Sequence, residues 1–149
     1  MTDLLYNYSS NVYSANGEDG INEYILKHLE LDSGVVLEIG AWDGFFDSNC
    51  ANLWSDGSYN GILIEATSKL NISDLESRYD NINCYRELIS SINTLEDVID
   101  KCKFDVDENN FVLASIDVDG DDLNVAKSLG KYKPIVLIVE PNGDVITKY

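Results

Sequence analysis

Val35-Val36-Leu37-Glu38-Ile39-Gly40-Ala41-Trp42-Asp43-Gly44 reads as a buried strand that ends in an acidic residue and breaks into a glycine-bounded loop. Glycines at both ends of that loop let the main chain take positive φ and approach a small polar ligand closely. Further along, Gly61-Ile62-Leu63-Ile64-Glu65 repeats the pattern, an apolar run closed by a carboxylate. In a parallel α/β sheet, an acidic residue about twenty positions after the first loop reaches the hydroxyls of a ribose held over that loop.

Outward from these two runs, strand-like and helix-like pieces alternate. Glu18 to Leu31 carries Ile21, Tyr24, Ile25 and Leu29 at helical spacing, which predicts a helix laying that face on a core. Strands are expected at 35–39, 61–65, near 82–86, at 111–117 and at 135–139. Helices are expected near 48–54, 68–79 and 94–102 and at 121–129. Thr94 with Asp97 resembles a capping pair, and Gly130 sits where a helix C-terminal glycine belongs. Phe111-Val112-Leu113-Ala114 and Ile135-Val136-Leu137-Ile138-Val139 are apolar throughout, which implies strands buried on both faces. The expectation is therefore an α/β fold, a doubly wound and mainly parallel sheet with helices on both faces. Its first and fourth strands should be neighbours where the winding reverses, so that the Gly40–Gly44 loop and Asp117 face each other across one crevice.

The 149 residues suit one domain, 1–149, with an irregular segment over 1–17. No apolar run approaches the roughly 20 residues of a membrane span. The N-terminus lacks the basic and hydrophobic regions of a signal peptide, so the cytoplasm is the expected location. Cys50, Cys84 and Cys102 have no CxxC spacing and read as reduced thiols. The 27 acidic against 10 basic residues give a net charge of −17, and residues 1–68 carry Lys27 as their one Lys or Arg. Such a surface repels phosphate backbones and anionic lipid, which argues against nucleic acid or membrane partners.

Asp117, Asp119, Asp121 and Asp122 crowd carboxylates at a strand end, where a divalent ion, helix amides or a substrate hydroxyl would offset their repulsion. The Asp-x-Asp-x-Asp alternation does not fit a calcium loop, because Gly120 falls at loop position four instead of six and position twelve is Ser128 instead of glutamate, and no metal is expected. Asp121 and Asp122 read as helix-start carboxylates. Asp117 should point into the crevice as the substrate-orienting residue or base, with Asp119 behind it. The dinucleotide pattern G-x-G-x-x-G is absent from Gly40–Gly44, which disfavours a nicotinamide-dependent oxidoreductase. Trp42 is placed either to shield a cation through its ring or to plug the core. His28, in the first helical segment, reads as a solvated or packing residue.

Glu38–Gly44 resembles the first motif of class I S-adenosylmethionine-dependent methyltransferases, and Gly61–Ala66 their second. Ser115-Ile116-Asp117-Val118-Asp119-Gly120 is similar to the I-D-x-[DE]-G motif of the FkbM-type methyltransferases. Gly17-Glu18-Asp19-Gly20 and Ser48-Asn49 also resemble segments of that family, and the likeness runs over about 14–141. The resemblance implies a Rossmann-like methyltransferase fold and a pocket for S-adenosyl-L-methionine. Glu38 and the backbone of Gly40, Ala41, Trp42, Asp43 and Gly44 would surround the amino-acid moiety. Glu65 would hold the ribose hydroxyls, with Asn49 and Ala66 beside the pocket. It implies O-methylation of a sugar or other small-molecule hydroxyl, with Asp117 and Asp119 as catalytic residues.

The family continues past its fifth strand with two further strands, whereas this sequence stops at Tyr149, and Ala15 stands where those proteins often carry glutamine. The short C-terminus leaves a second reading open, a non-catalytic S-adenosylmethionine-binding or interaction domain. It also makes 135–139 an outer apolar strand, for which pairing with a second copy into a two-fold dimer is the expectation.

Overall fold

The protein is described by a computed structural model over residues 4–67, 72–118 and 120–140. Five strands form one parallel sheet: β1 (Gly34–Ile39), β2 (Tyr59–Ile64), β3 (Ile82–Tyr85), β4 (Phe111–Ile116) and β5 (Val136–Val139). Their order across the sheet is β3-β2-β1-β4-β5. The winding reverses between β1 and β4, so the doubly wound expectation holds and the carboxyl ends of these two strands open a crevice. The helices are α1 (Glu18–His28), α2 (Ala51–Trp54), α3 (Leu95–Lys101) and α4 (Asp122–Lys127), with 3-10 turns at Leu5–Tyr8 and Ile72–Ser77.

Alternate strand residues feed two cores, as a twofold side-chain period requires. Val36, Leu63 and Leu113 meet Leu26 of α1, Trp54 of α2 and Leu75 on one face. Val35, Leu37, Ile62, Ile64 and Phe111 meet Leu95, Val98 and Ile99 of α3 and Val125 of α4 on the other. Thr94 and Asp97 form the expected capping box at the start of α3. Gly130 takes φ +59° just beyond α4, the left-handed conformation expected of it.

Three expectations are corrected. In α1 the buried residues are Asp19, Gly20, Asn22 and Leu26, not the Ile21, Tyr24, Ile25 and Leu29 stripe. The rotation follows from polar partners supplied by other segments. Asp19 accepts from the backbone of Val12, Tyr13 and Ser14, Asn22 donates to the Asn49 carbonyl, and Tyr24 stacks on Tyr8 instead of entering the core. Where a helix was expected near 68–79, residues 72–77 form a 3-10 turn, and 68–71 lie outside the described residues. Ser77 donates its hydroxyl to the Asp74 carbonyl there at 2.7 Å, a local bond that competes with regular helix. Finally, β5 is the outer strand, as expected, but it is not buried on both faces, and Leu137 is 48% exposed.

Trp54 anchors the first core. Its ring lies 5.1 Å from Phe45 and 5.2 Å from Tyr79, centroid to centroid, and it is fully buried. A Cβ on Gly61 of β2 would come within 3.2 Å of Trp54 Cγ, so the bare backbone at Gly61 is what lets the indole lie against the sheet. The indole N–H is buried without an acceptor among the described residues. Trp54→Ala should therefore cost about 3–5 kcal/mol by the cavity it leaves. Trp54→Phe should cost markedly less, since it keeps most of the ring and removes an unsatisfied donor. Urea denaturation of both variants measures the difference, and equal losses would show that the N–H has a partner.

Candidate functional site

The loop that follows β1 is built inward before it is available outward. Gly40 and Ala41 both donate their amides to the Ile64 carbonyl, at 3.0 and 3.1 Å, and Gly44 donates to the Ala41 carbonyl at 2.7 Å. The Asp43 carboxylate accepts from the amides of Phe45 and Phe46, closing its own turn. Ala41 itself is buried in the core, and Trp42 turns through φ +49° so that its ring is 47% exposed. Trp42 is thus not a core plug but a wall of the crevice.

Gly40 has a reason internal to the fold. It takes φ +79°, and a Cβ there would lie 1.9 Å from the Asp117 carbonyl oxygen. Since Asp117 N also donates to the Ile39 carbonyl, the ends of β1 and β4 are clamped together at the switch point. At Gly44 a Cβ would strike Leu75 Cδ1 at 2.4 Å. Gly40 is therefore demanded by backbone packing and Gly44 by its φ of +89°, apart from any ligand.

Glu65 stands just past β2, almost buried. One carboxylate oxygen accepts from Trp42 N and the other from Thr67 N, each at 2.8 Å. An ionised carboxylate has about four lone-pair sites, so two remain for other donors. Glu38, on β1, is 4% exposed and accepts from the Ser48 hydroxyl at 2.5 Å and from Asn49 N at 2.7 Å. Ser48 Oγ in turn accepts from the amides of Cys50 and Ala51 at the start of α2. Burial pushes the Glu38 carboxyl up to about 7; the bonds from Ser48 and Asn49 pull against this, and the Asp19 and Asp117 carboxylates add to it.

A cleft of about 400 Å³ opens at the carboxyl ends of β1, β2 and β4. Gly40, Trp42, Glu65, Ala66 and Asp117 line it, so these predicted residues are brought together. Glu38, Ala41, Asp43 and Gly44 do not line it; they hold the strand end and loop in place. Asn49 lies instead in a second cleft, of about 370 Å³, which Asp117 also lines. Asp119 lies outside the described residues. Among the described residues, no group of three or more His, Cys, Asp or Glu side chains is arranged to hold a metal ion.

Two contributors escaped sequence reasoning. Glu87, Leu88 and Ile89, just after β3, form a wall of the first cleft. Their only sequence signal is position, since the segment following a third strand ends beside the second. Asp122 stands in the first turn of α4, as expected of a helix-start carboxylate, but it is also 4% exposed and accepts from Val118 N at 2.8 Å and Gly120 N at 3.4 Å. It fixes the turn that presents Asp117.

A raised carboxyl makes stability fall as pH rises. Between the ordinary carboxyl value of 4.5 and about 7, the folded state keeps a proton on Glu38 that the unfolded chain has released, and above about 7 the whole contribution is lost. The domain should thus be more stable near pH 5 than near pH 8, with Glu38 contributing on the order of 3 kcal/mol at most. Glu38→Gln should flatten that slope whatever its absolute stability, as read from urea midpoints at the two pH values. An unchanged slope would assign the pH dependence to the surface carboxylates.

No family model matches the sequence, and no curated protein matches it. Among solved structures, the chain is similar to a precorrin-6y C5,15-methyltransferase from Geobacter metallireducens GS-15, at 16% identity and a TM-score of 0.47. The alignment covers 87% of this chain and 64% of the length of that one.

Proposed function

We propose that this domain binds S-adenosyl-L-methionine in the cleft at the ends of β1, β2 and β4 and transfers its methyl group to the oxygen of a small-molecule hydroxyl, a carbohydrate being the expected class. One observation carries the reading. The cleft combines an acceptor-only carboxylate, Glu65, with apolar walls from Ile39, Leu88, Ile89, Val118 and Val125, and among the described residues its lining has no basic side chain. A nucleoside with a cationic sulfur fits that lining on three counts. Glu65 can accept from a vicinal diol, the aliphatic walls can cover an adenine ring, and Glu87, Asp117 and Asp121 meet the positive charge. The pyrophosphate of a nicotinamide dinucleotide would face those carboxylates with the Gly40 and Ala41 amides already engaged, so that alternative is disfavoured.

When bound, the donor supplies a methyl carbon whose bond to sulfur breaks, the electron pair remaining on sulfur, as the new carbon–oxygen bond forms. The residues of this chain position and receive. Trp42 offers its ring face to positive charge at the mouth. Asp117, pinned through its own backbone against Gly40, orients the acceptor hydroxyl and takes its proton. In-line transfer depends mainly on alignment, and a clamped strand end serves that need. The second reading, donor binding without transfer, shares the cleft and differs only in turnover. Among the described residues β5 has no partner on its outer edge, which with the exposed Leu137 supports self-association through that edge, and light scattering at micromolar protein tests it.

Isothermal titration with S-adenosylmethionine, S-adenosylhomocysteine and NAD tests the donor. Binding of the first two and not the third is expected, and NAD binding alone would overturn the proposal. Glu65→Ala should weaken donor binding by about 1–3 kcal/mol, since two hydroxyl donors lose a charged acceptor. Asp117→Asn should keep donor affinity and lose rate. Equal loss of affinity in both variants would make Asp117 part of the donor site.

A further inference from the structure

The second cleft lies across Asp117 from the first and opens toward the face covered by α1. Its floor is formed by Ile116 of β4 and Ile138 and Val139 of β5. Its walls are built rather than incidental. Asp19 accepts three successive backbone amides, from Val12, Tyr13 and Ser14 at 2.7–2.8 Å, and so fixes the turn that brings Ala15 and Asn16 to the rim. On the opposite side the Asn49 side-chain amide donates to Ser115 Oγ at 3.0 Å and ties the loop after β1 to β4. Glu18, Asp47, Asp117 and Glu140 all border the cavity, and among the described residues no Lys, Arg or His lines it.

We infer that this cleft is the acceptor subsite and that it takes an acceptor bearing an ammonium or guanidinium group, an inference that rests on the donor reading above. Asp117, shared by both clefts, is where the two ligands meet, so a molecule in the second cleft lies beside the group that would be transferred. A neutral polyol would find hydrogen-bond partners there, but only a cation gains charge-assisted bonds to the rim. A carboxylated or phosphorylated acceptor meets like charge on every side. The net charge of −17 acts in the same direction at longer range, concentrating cations at the mouth. The apolar floor limits the cation to one with a short aliphatic or ring body.

The test uses the full chain saturated with S-adenosylhomocysteine, and nitrogen-15 amide spectra as readout. Agmatine, putrescine and glucosamine serve as cations, with glucose and glucuronate as neutral and anionic counterparts. At least one cation should shift the amides of Asn16, Asn49 and Ser115, with glucose weaker and glucuronate silent. Asp47→Asn combined with Glu140→Lys, both at exposed positions, should weaken that cation about tenfold or more while homocysteine-product binding stays unchanged. Raising salt to half-molar should weaken it as well. Glucuronate or glucose binding as well as the cations, or no cation shifting those amides, would overturn the inference. Cation shifts in a protein that fails to bind S-adenosylhomocysteine would instead leave a cation site standing and sink the donor reading.

Discussion

The buried carboxyl of Glu38 is the constraint on which the rest of the site depends. It sits within β1, where every neighbouring position is apolar, and its only compensation comes from the loop it holds. Ser48 and Asn49 reach it from ten residues downstream, Ser48 then caps α2, and Asn49 continues to Ser115 on β4. One side chain thereby joins the sheet, the glycine loop and the first covering helix. Burying it costs free energy, and the group responds by holding its proton to about neutral pH.

A second constraint acts at the switch point. Between Gly40 and Asp117 there is room for backbone and nothing more, so the ends of β1 and β4 move as one body. Asp122 secures the turn beyond Asp117 through the amides of Val118 and Gly120. The partition between the two clefts is thus backbone held by backbone. Sites made this way keep a strand-end carboxylate in place without adding a side chain to either cavity.

Charge then sorts what the clefts can hold. Among the described residues both are bordered by carboxylates and neither by a basic side chain, so the same feature that argues against phosphate-bearing ligands favours cations in each. The acidic surface that reads in the sequence as a general bias becomes, at the carboxyl edge of the sheet, a local selectivity.

The sequence by itself determined the sheet and its switch point. Uninterrupted apolar runs can only be buried strands, right-handed crossovers leave few ways to order them, and carboxylates or glycines at strand ends fall at one edge. Glu65, Gly40 and Asp117 were legible on that basis. Contacts between distant segments were not, because periodicity records how apolar a face is and not which partner waits for a polar one. The buried side of α1 was decided by the amides of Val12, Tyr13 and Ser14 and by the Asn49 carbonyl. The tertiary structure likewise gave the Asp43 and Asp122 carboxylates backbone amides to tie, brought Glu87–Ile89 to the cleft, and left Leu137 of β5 exposed despite the strand's apolar sequence. In each case the physical reason is the same: a polar group or an apolar strand takes its role from the neighbours that the fold supplies.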